Sequence, residues 1–213
     1  MLHRHCFLFL VLLLLTGSIQ AHPHVWIDLR VSPQVNEQGQ ITALRQAWRF
    51  DPFYSLVLIE ELEKGGPEEE KDQRMDQLAL EVVQNLENFD FFTRVTAAGQ
   101  HQAFESVIEY NLMQVGRRIE FSFVLPLKKP VALQGERLQY QVYDPSYYIE
   151  ILHSSGRELD TQQLPATCKV DIQEPSPPGD LVEKALALDK DEVPEDPRLG
   201  EYFAETVNLD CQP

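Results

Sequence analysis

Between Val25 and Val31 apolar residues fall at every second position, Val25, Ile27, Leu29 and Val31, with Trp26, Asp28 and Arg30 between them and His24 just before. A period of two belongs to a β-strand with one dry and one wet face, and a helix cannot satisfy it. Asn36 to Gly39 reads as a turn, and Ile41 to Phe50 forms the partner strand, with Leu44, Trp48 and Phe50 in one alternating set. The folded part of the chain therefore opens with an antiparallel hairpin.

Asp51-Pro52 supplies an N-cap followed by proline at the first helical position, so a short apolar helix is expected to run until Gly65-Gly66. From Glu68 the spacing changes. Met75, Leu78, Ala79, Val82, Val83, Leu86 and Phe89 recur at helical intervals, leaving Glu69, Glu70, Asp72, Asp76 and Glu87 mostly on wet faces. Strand patterns resume over residues 103–112, 117–127 and 137–143, and Tyr147 to Leu152 continues the sheet. Pro175, Pro177, Pro178 and Gly179 interrupt it, Asp180-Leu181-Val182-Glu183 resembles a capping box, and Asp189 to Pro197 is an acidic, proline-bearing loop. The expected fold class is α+β: an antiparallel β-rich body, sheet or sandwich, with a two-helix insertion over residues 52–90 and a short C-terminal helix.

Ahead of the hairpin, His3, Arg4 and His5 precede an apolar run from Cys6 to Leu15 and small or polar residues from Thr16 to Ala21. That order is the order of a secretory signal. Its apolar core of about ten residues is half of what spans a bilayer, so removal after Ala21 is expected rather than stable membrane insertion. Residues 22–213 would remain as a single periplasmic α+β domain, with 17 basic against 34 acidic side chains. Such a surface repels nucleic acid and draws cations toward it, although acidity also serves plain solubility.

With Cys6 in the signal, Cys168 and Cys211 form one pair in an oxidising compartment, each in a strand-like context, 167–172 and 206–211. A disulfide is the expectation, tethering a C-terminal segment of about 174–213, and metal ligation by two thiolates is the alternative. Phosphate-binding glycine loops, Gly-x-Ser-x-Gly, His-Glu-x-x-His and Cys-x-x-Cys are all missing from the sequence, which leaves nucleotide, common hydrolase and thiol-redox chemistry without support.

Ala21-His22-Pro23-His24-Val25-Trp26 stands apart. Cleavage after Ala21 would place an α-amine and the rings of His22 and His24 within three residues. In an extended chain the two rings lie about 6.6 Å apart on one side, close enough for flexible side chains to share a cation. Pro23 pushes His22 toward extended geometry. It also lacks the amide that a square-planar copper or nickel peptide chelate requires, so imidazole ligation of zinc in a tetrahedral site is favoured, with nickel, cobalt and copper as alternatives. A frayed, unliganded terminus is the competing reading. Asp28 sits about 13 Å along the strand, too far for a co-ligand. Weaker candidates are Asp51 and Asp144, both before proline and suited to caps or turns, together with Glu150, His101 at a hairpin tip and His153 at a strand end.

His22-Pro23-His24-Val25-Trp26-Ile27-Asp28, Trp48-Arg49-Phe50-Asp51-Pro52-Phe53-Tyr54-Ser55, Tyr143-Asp144-Pro145-Ser146-Tyr147-Tyr148-Ile149, and Leu199-Gly200-Glu201-Tyr202-Phe203-Ala204-Glu205 with Cys211 together resemble one family. It is a domain-of-unknown-function family of exported proteins labelled periplasmic components of an uncharacterised ABC-type transport system. Its members are similar to the Zev-type periplasmic zinc-acquisition protein and occur beside nickel- and cobalt-type permeases. The resemblance implies a non-enzymatic metal-handling accessory protein that captures a divalent transition metal, zinc first, for an inner-membrane permease, with His22 and His24 as carried-over site residues. A two-lobed solute-binding protein needs two domains to close around its ligand, and 192 residues with one β-rich body are short for that. Two other classes stay open. One is a copper histidine-brace oxidative enzyme, which would bring His101 or His153 to His22. The other is a non-metal interaction protein using Trp26, Trp48, Tyr147 and Tyr148, although aromatic residues alternating on strands more often belong to a core.

Overall fold

A computed structural model describes residues 22–211 apart from 108, 136, 155–158 and 190–191. The expected export signal, residues 1–21, lies outside the described residues. The hairpin forms from β1 (Val25–Val35) and β2 (Gln40–Phe50), paired antiparallel, with the Asn36 side-chain oxygen accepting the amides of Gln38 and Gln40 across the turn. Along β1 the residues Val25, Ile27, Leu29 and Val31 are buried while Trp26 and Asp28 are exposed, as the period of two requires.

Asp51 caps α1 (Pro52–Lys64), its Oδ1 accepting the amides of Phe53 and Tyr54. After a 3₁₀ turn, α2 (Lys71–Glu87) buries Met75, Ala79, Val83 and Leu86 along one stripe. Phe89 does not continue that stripe and is exposed, because the helix ends at Glu87 and the chain turns through left-handed residues Asp90, Phe91 and Phe92. Then follow β3 (Thr93–Ala97), β4 (Gln100–His101), β5 (Glu109–Val115), β6 (Arg118–Ala132), β7 (Arg137–Val142), β8 (Ile149–His153), β9 (Cys168–Gln173), α3 (Gly179–Ala187), a 3₁₀ turn (Leu199–Phe203) and β10 (Thr206–Cys211).

Two five-stranded sheets result, one in the order β5-β6-β2-β1-β8 and the other β4-β3-β7-β10-β9. This is an α+β fold of two antiparallel-rich sheets with a helical insertion and a C-terminal helix. One apolar cluster joins both sheets and the inner faces of α1 and α2, with Leu29, Phe121, Leu125, Tyr140 and Leu209 fully buried in it. Burial of this kind is worth roughly 1.5–3 kcal/mol for each large side chain, which is what commits the two sheets to each other.

Three expectations need correction. The strand expected over 103–112 begins only at Glu109, because residues 102–106 cross from one sheet to the other and keep just an isolated bridge, Phe104 to Leu127. Residues 147–152 do not simply extend an antiparallel sheet: Tyr147 turns with positive φ, and β8 pairs parallel with β1. The capping box at Asp180 does not form. Pro178 is the N-cap residue, no side chain caps it, and α3 starts at Gly179. The alternating set Leu44, Trp48 and Phe50 stands as expected, and a bulge between Ile41 and Ala43 lets Ile41 face the core as well.

The disulfide joins Cys168 to Cys211, the first pair in the β9–β10 register. Residues 174–205 thus leave β9 and return to β10 as a strap anchored at both ends. Its apolar contacts form a small second cluster, Tyr147, Ala185 and Leu199 with Leu188 and Phe203 against them. No helix among the described residues is long and apolar enough to cross a membrane.

Candidate functional site

The parallel pairing of β1 with β8 brings the Tyr148 carbonyl to the amides of His24 (2.9 Å) and Val25 (3.3 Å), and so fixes the residues just ahead of β1. Asp144 makes that possible. Its Oδ1 accepts the Ser146 amide at 2.9 Å and its Oδ2 the Ile149 amide at 3.0 Å, with the Ser146 hydroxyl at both oxygens, so the 144–149 turn is held from inside. Asp51 does the corresponding work on the other side. Its Oδ2 accepts the Trp26 amide at 3.2 Å while its own amide donates to the Trp26 carbonyl at 2.9 Å.

Between these anchors the imidazoles of His22 and His24 lie with ring centroids 4.8 Å apart and planes inclined at 71°. The Tyr148 ring stands beside both, at 5.9 Å from His22 and 5.1 Å from His24. His22 is 3% exposed. The backbone of Leu188, the residue after α3, is a neighbour of its ring. Two ring nitrogens, His22 Nδ1 and His24 Nε2, are buried and have no hydrogen-bond partner.

Burial pushes His22 below its ordinary value, and the neighbouring His24 adds to this. The Leu188 backbone and the charges of Asp144 and Glu192 oppose the shift without cancelling it. A neutral imidazole with a buried, unused lone pair beside a second one is a nitrogen donor pair of the kind that suits zinc, copper, nickel or cobalt. Among the described residues no ready-made cluster of three or more His, Cys, Asp or Glu side chains stands here.

The remaining sequence candidates lie elsewhere or are engaged. Asp28 pairs with Arg118. Glu150 accepts the Tyr147 hydroxyl at 3.0 Å, which together with burial raises that phenol far above its ordinary range. His101 lies in β4 just past the hairpin tip, with its Nε2 2.6 Å from Arg94 Nη2. His153 is buried with both ring nitrogens taken, Nδ1 by Glu205 Oε2 at 2.7 Å and Nε2 by the Tyr140 hydroxyl at 3.0 Å, a link from one sheet to the other. Sequence reasoning named Tyr148 only as part of an aromatic partner surface, not beside the histidines, and did not single out Leu188. The paired cysteines flanking residues 174–205 were the one available sign that this segment is held against the body.

Segments far apart in the chain thus converge on one end of the molecule. The 22–28 segment meets 48–55 through Asp51 and 143–149 through Tyr148, and 199–205 joins through the Gly200 amide, which donates to Pro145 at 3.0 Å, and the Tyr147–Phe203 stack at 3.9 Å. The sequence profile of the family described as "Protein of unknown function (DUF1007)" matches residues 7–211. The chain belongs to this family. An uncharacterized protein of Haemophilus influenzae is 26% identical over 202 residues, covering 94% of this chain and 96% of that one. For this DUF1007 member the match spans both sheets, the helical insertion and the strap, so the convergent end lies wholly inside the family region.

Proposed function

We propose that the protein is an exported, periplasmic metal-handling accessory protein that binds a divalent transition metal, zinc first among them, through His22 and His24, and supplies it to an inner-membrane permease. The observation that carries this reading is the pair of buried, unpartnered nitrogens on adjacent imidazoles, His22 Nδ1 and His24 Nε2. An unmade hydrogen bond on a buried polar atom costs about 1–3 kcal/mol, and a cation that takes both lone pairs removes two such penalties at once. The permease as recipient rests on the family resemblance and on the formal charge of −16, which enriches cations near the surface without defining the site. Two protein nitrogens are few for a storage site, and few ligands suit exchange.

The test is zinc titration by calorimetry on protein purified after expression of the whole chain. One zinc per chain is expected, and His22→Ala and His24→Ala should each weaken it by roughly 100-fold or more, beyond what loss of an outer partner does. Absence of heat with the parent protein, or affinity equal to the parent's in both variants, would contradict the reading. The copper-brace alternative needs His101 or His153 at His22, and both are bonded elsewhere.

A second reading has its own observation. Trp26 (48% exposed), Phe53 (76%) and Tyr148 (39%) are exposed aromatic residues flanking the histidines. Tyr54, whose hydroxyl is raised by burial and by Tyr148, sits among them. An exposed aromatic group of this kind marks an interaction surface. Trp26→Ala should leave zinc affinity within about twofold while removing capture by a partner, if recognition rather than metal is the task.

A further inference from the structure

The strand β5 ends one sheet: it pairs with β6 on one side, and among the described residues no strand pairs with it on the other. The two-residue turn Gly116-Arg117 makes Val115 and Arg118 the closing hydrogen-bonded pair, so by antiparallel alternation Tyr110, Leu112 and Gln114 turn their amides and carbonyls toward the open edge. Every residue of β5 except Leu112 and Val115 is exposed, so solvent reaches that edge along its length. Natural edges are commonly blunted by proline, lysine or a bulge, and β5 carries none of these.

The same edge is one wall of a groove whose other wall is the first half of α2. Leu112 and Met75 belong to the shared core and line one cavity, which sets helix and strand side by side. Two adjoining cavities of about 540 and 620 Å³ follow the strand from Gln114 to Glu109, with Asp76 and Asn111 in the wall of both. Charge in this groove is one-sided. Its two cations are already used, Arg45 by Glu109 at 3.0 Å and Lys71 by Glu63 at 3.6 Å and Glu68 at 3.7 Å, whereas Asp72 and Asp76 carry no ion pair among the described residues.

We propose that the β5 edge is a docking site for an extended, lysine- or arginine-bearing segment of a partner polypeptide, which adds a strand to this sheet alongside α2. The backbone edge supplies affinity, and Asp72 and Asp76 supply the choice of partner. Cationic side chains at alternate positions of the added strand fall on the α2 side, the side of Leu112, and uncharged ones on the other. A second copy of this chain is the poorer occupant. Pairing two β5 edges would bring the Asp72, Asp76 and Glu109 carboxylates of both copies together in a molecule of formal charge −16. This inference is independent of the two-histidine reading.

Amide hydrogen exchange of the full chain, followed by NMR with a ten-residue peptide of alternating Lys and Thr, tests it. The amides of Tyr110, Leu112 and Gln114 should slow by about tenfold or more at saturation. The same peptide N-methylated throughout keeps its charge but loses its backbone donors, and should bind at least about tenfold more weakly. Asp72→Asn with Asp76→Asn should weaken the unmethylated peptide by about fivefold or more and flatten its salt dependence. Glu60→Gln with Glu61→Gln, an equal loss of charge from α1, should leave it unchanged. Binding without slowed exchange at those three amides, or equal binding of the methylated peptide, would show charge attraction alone and overturn the proposal. So would equal weakening by the Glu60 and Glu61 changes, or no binding at millimolar peptide. Slowing that grows with protein concentration in the absence of peptide would overturn it in favour of a second copy as the occupant.

Discussion

At the scale of single residues, His22 is placed where burial and a neighbouring imidazole outweigh the groups that favour its charged form. Its ring is covered, its Nδ1 has no hydrogen-bond partner, and a second imidazole lies beside it. Unfolded, the ring takes a proton near 6.5; folded, burial and His24 keep it neutral to lower pH. Between those two values the unfolded chain holds more protons, so the metal-free protein loses stability as pH falls below 6.5 and stops losing it on this account below the folded value. His22→Gln should flatten that part of the pH profile of urea midpoints between pH 7.5 and about 5. A profile with the same slope in His22→Gln would show that other groups carry it. The same shift keeps the His22 donor available to metal in mildly acidic solution, where an exposed histidine is already protonated.

At the scale of elements, the strap is the part on which the site's cover depends, and Gly200 is its tightest contact. A methyl group there would overlap the Asp144 carbonyl oxygen, and the Gly200 amide bonds Pro145, so the 3₁₀ turn lies directly on the 144–149 turn. Gly200→Ala should destabilise by about 1–3 kcal/mol, as overpacking does. It should also raise protease cleavage between α3 and β10, and an unchanged urea midpoint with unchanged cleavage would contradict this packing. Such contacts show where the sequence was legible. Local patterns announced the hairpin, the Asp51 cap and the α2 stripe, because each is decided by neighbours within a few residues. The parallel β1–β8 pair, the bulge in β2 and the seat of the strap were not legible, since each is set by partners tens of residues away or more in the chain. His22 and His24 stood out by residue type and spacing, whereas Tyr148 and Leu188 reach them only through tertiary contacts. Gln46 is similar: it is fully buried and bridges Thr93 and the Trp48 indole, a role no period reveals.

At the scale of the whole molecule, two sheets share one core, and the β9–β10 pair with the Cys168–Cys211 bond closes a 43-residue separation that contains the strap. In the loop-entropy account such a bond stabilises by about 4 kcal/mol. Replacing both cysteines by alanine should lower the unfolding free energy by about that amount in urea melts, and an effect under about 1 kcal/mol would mean that β9–β10 pairing alone anchors the strap. The central claim concerns what the body and strap jointly enclose, two imidazole nitrogens offered to a cation. X-ray absorption at the zinc edge of the zinc-loaded protein addresses it most directly. The account predicts two imidazoles at about 2.0 Å with oxygen completing the shell; a shell of oxygen alone, or one unchanged by His22→Ala and His24→Ala together, would contradict it.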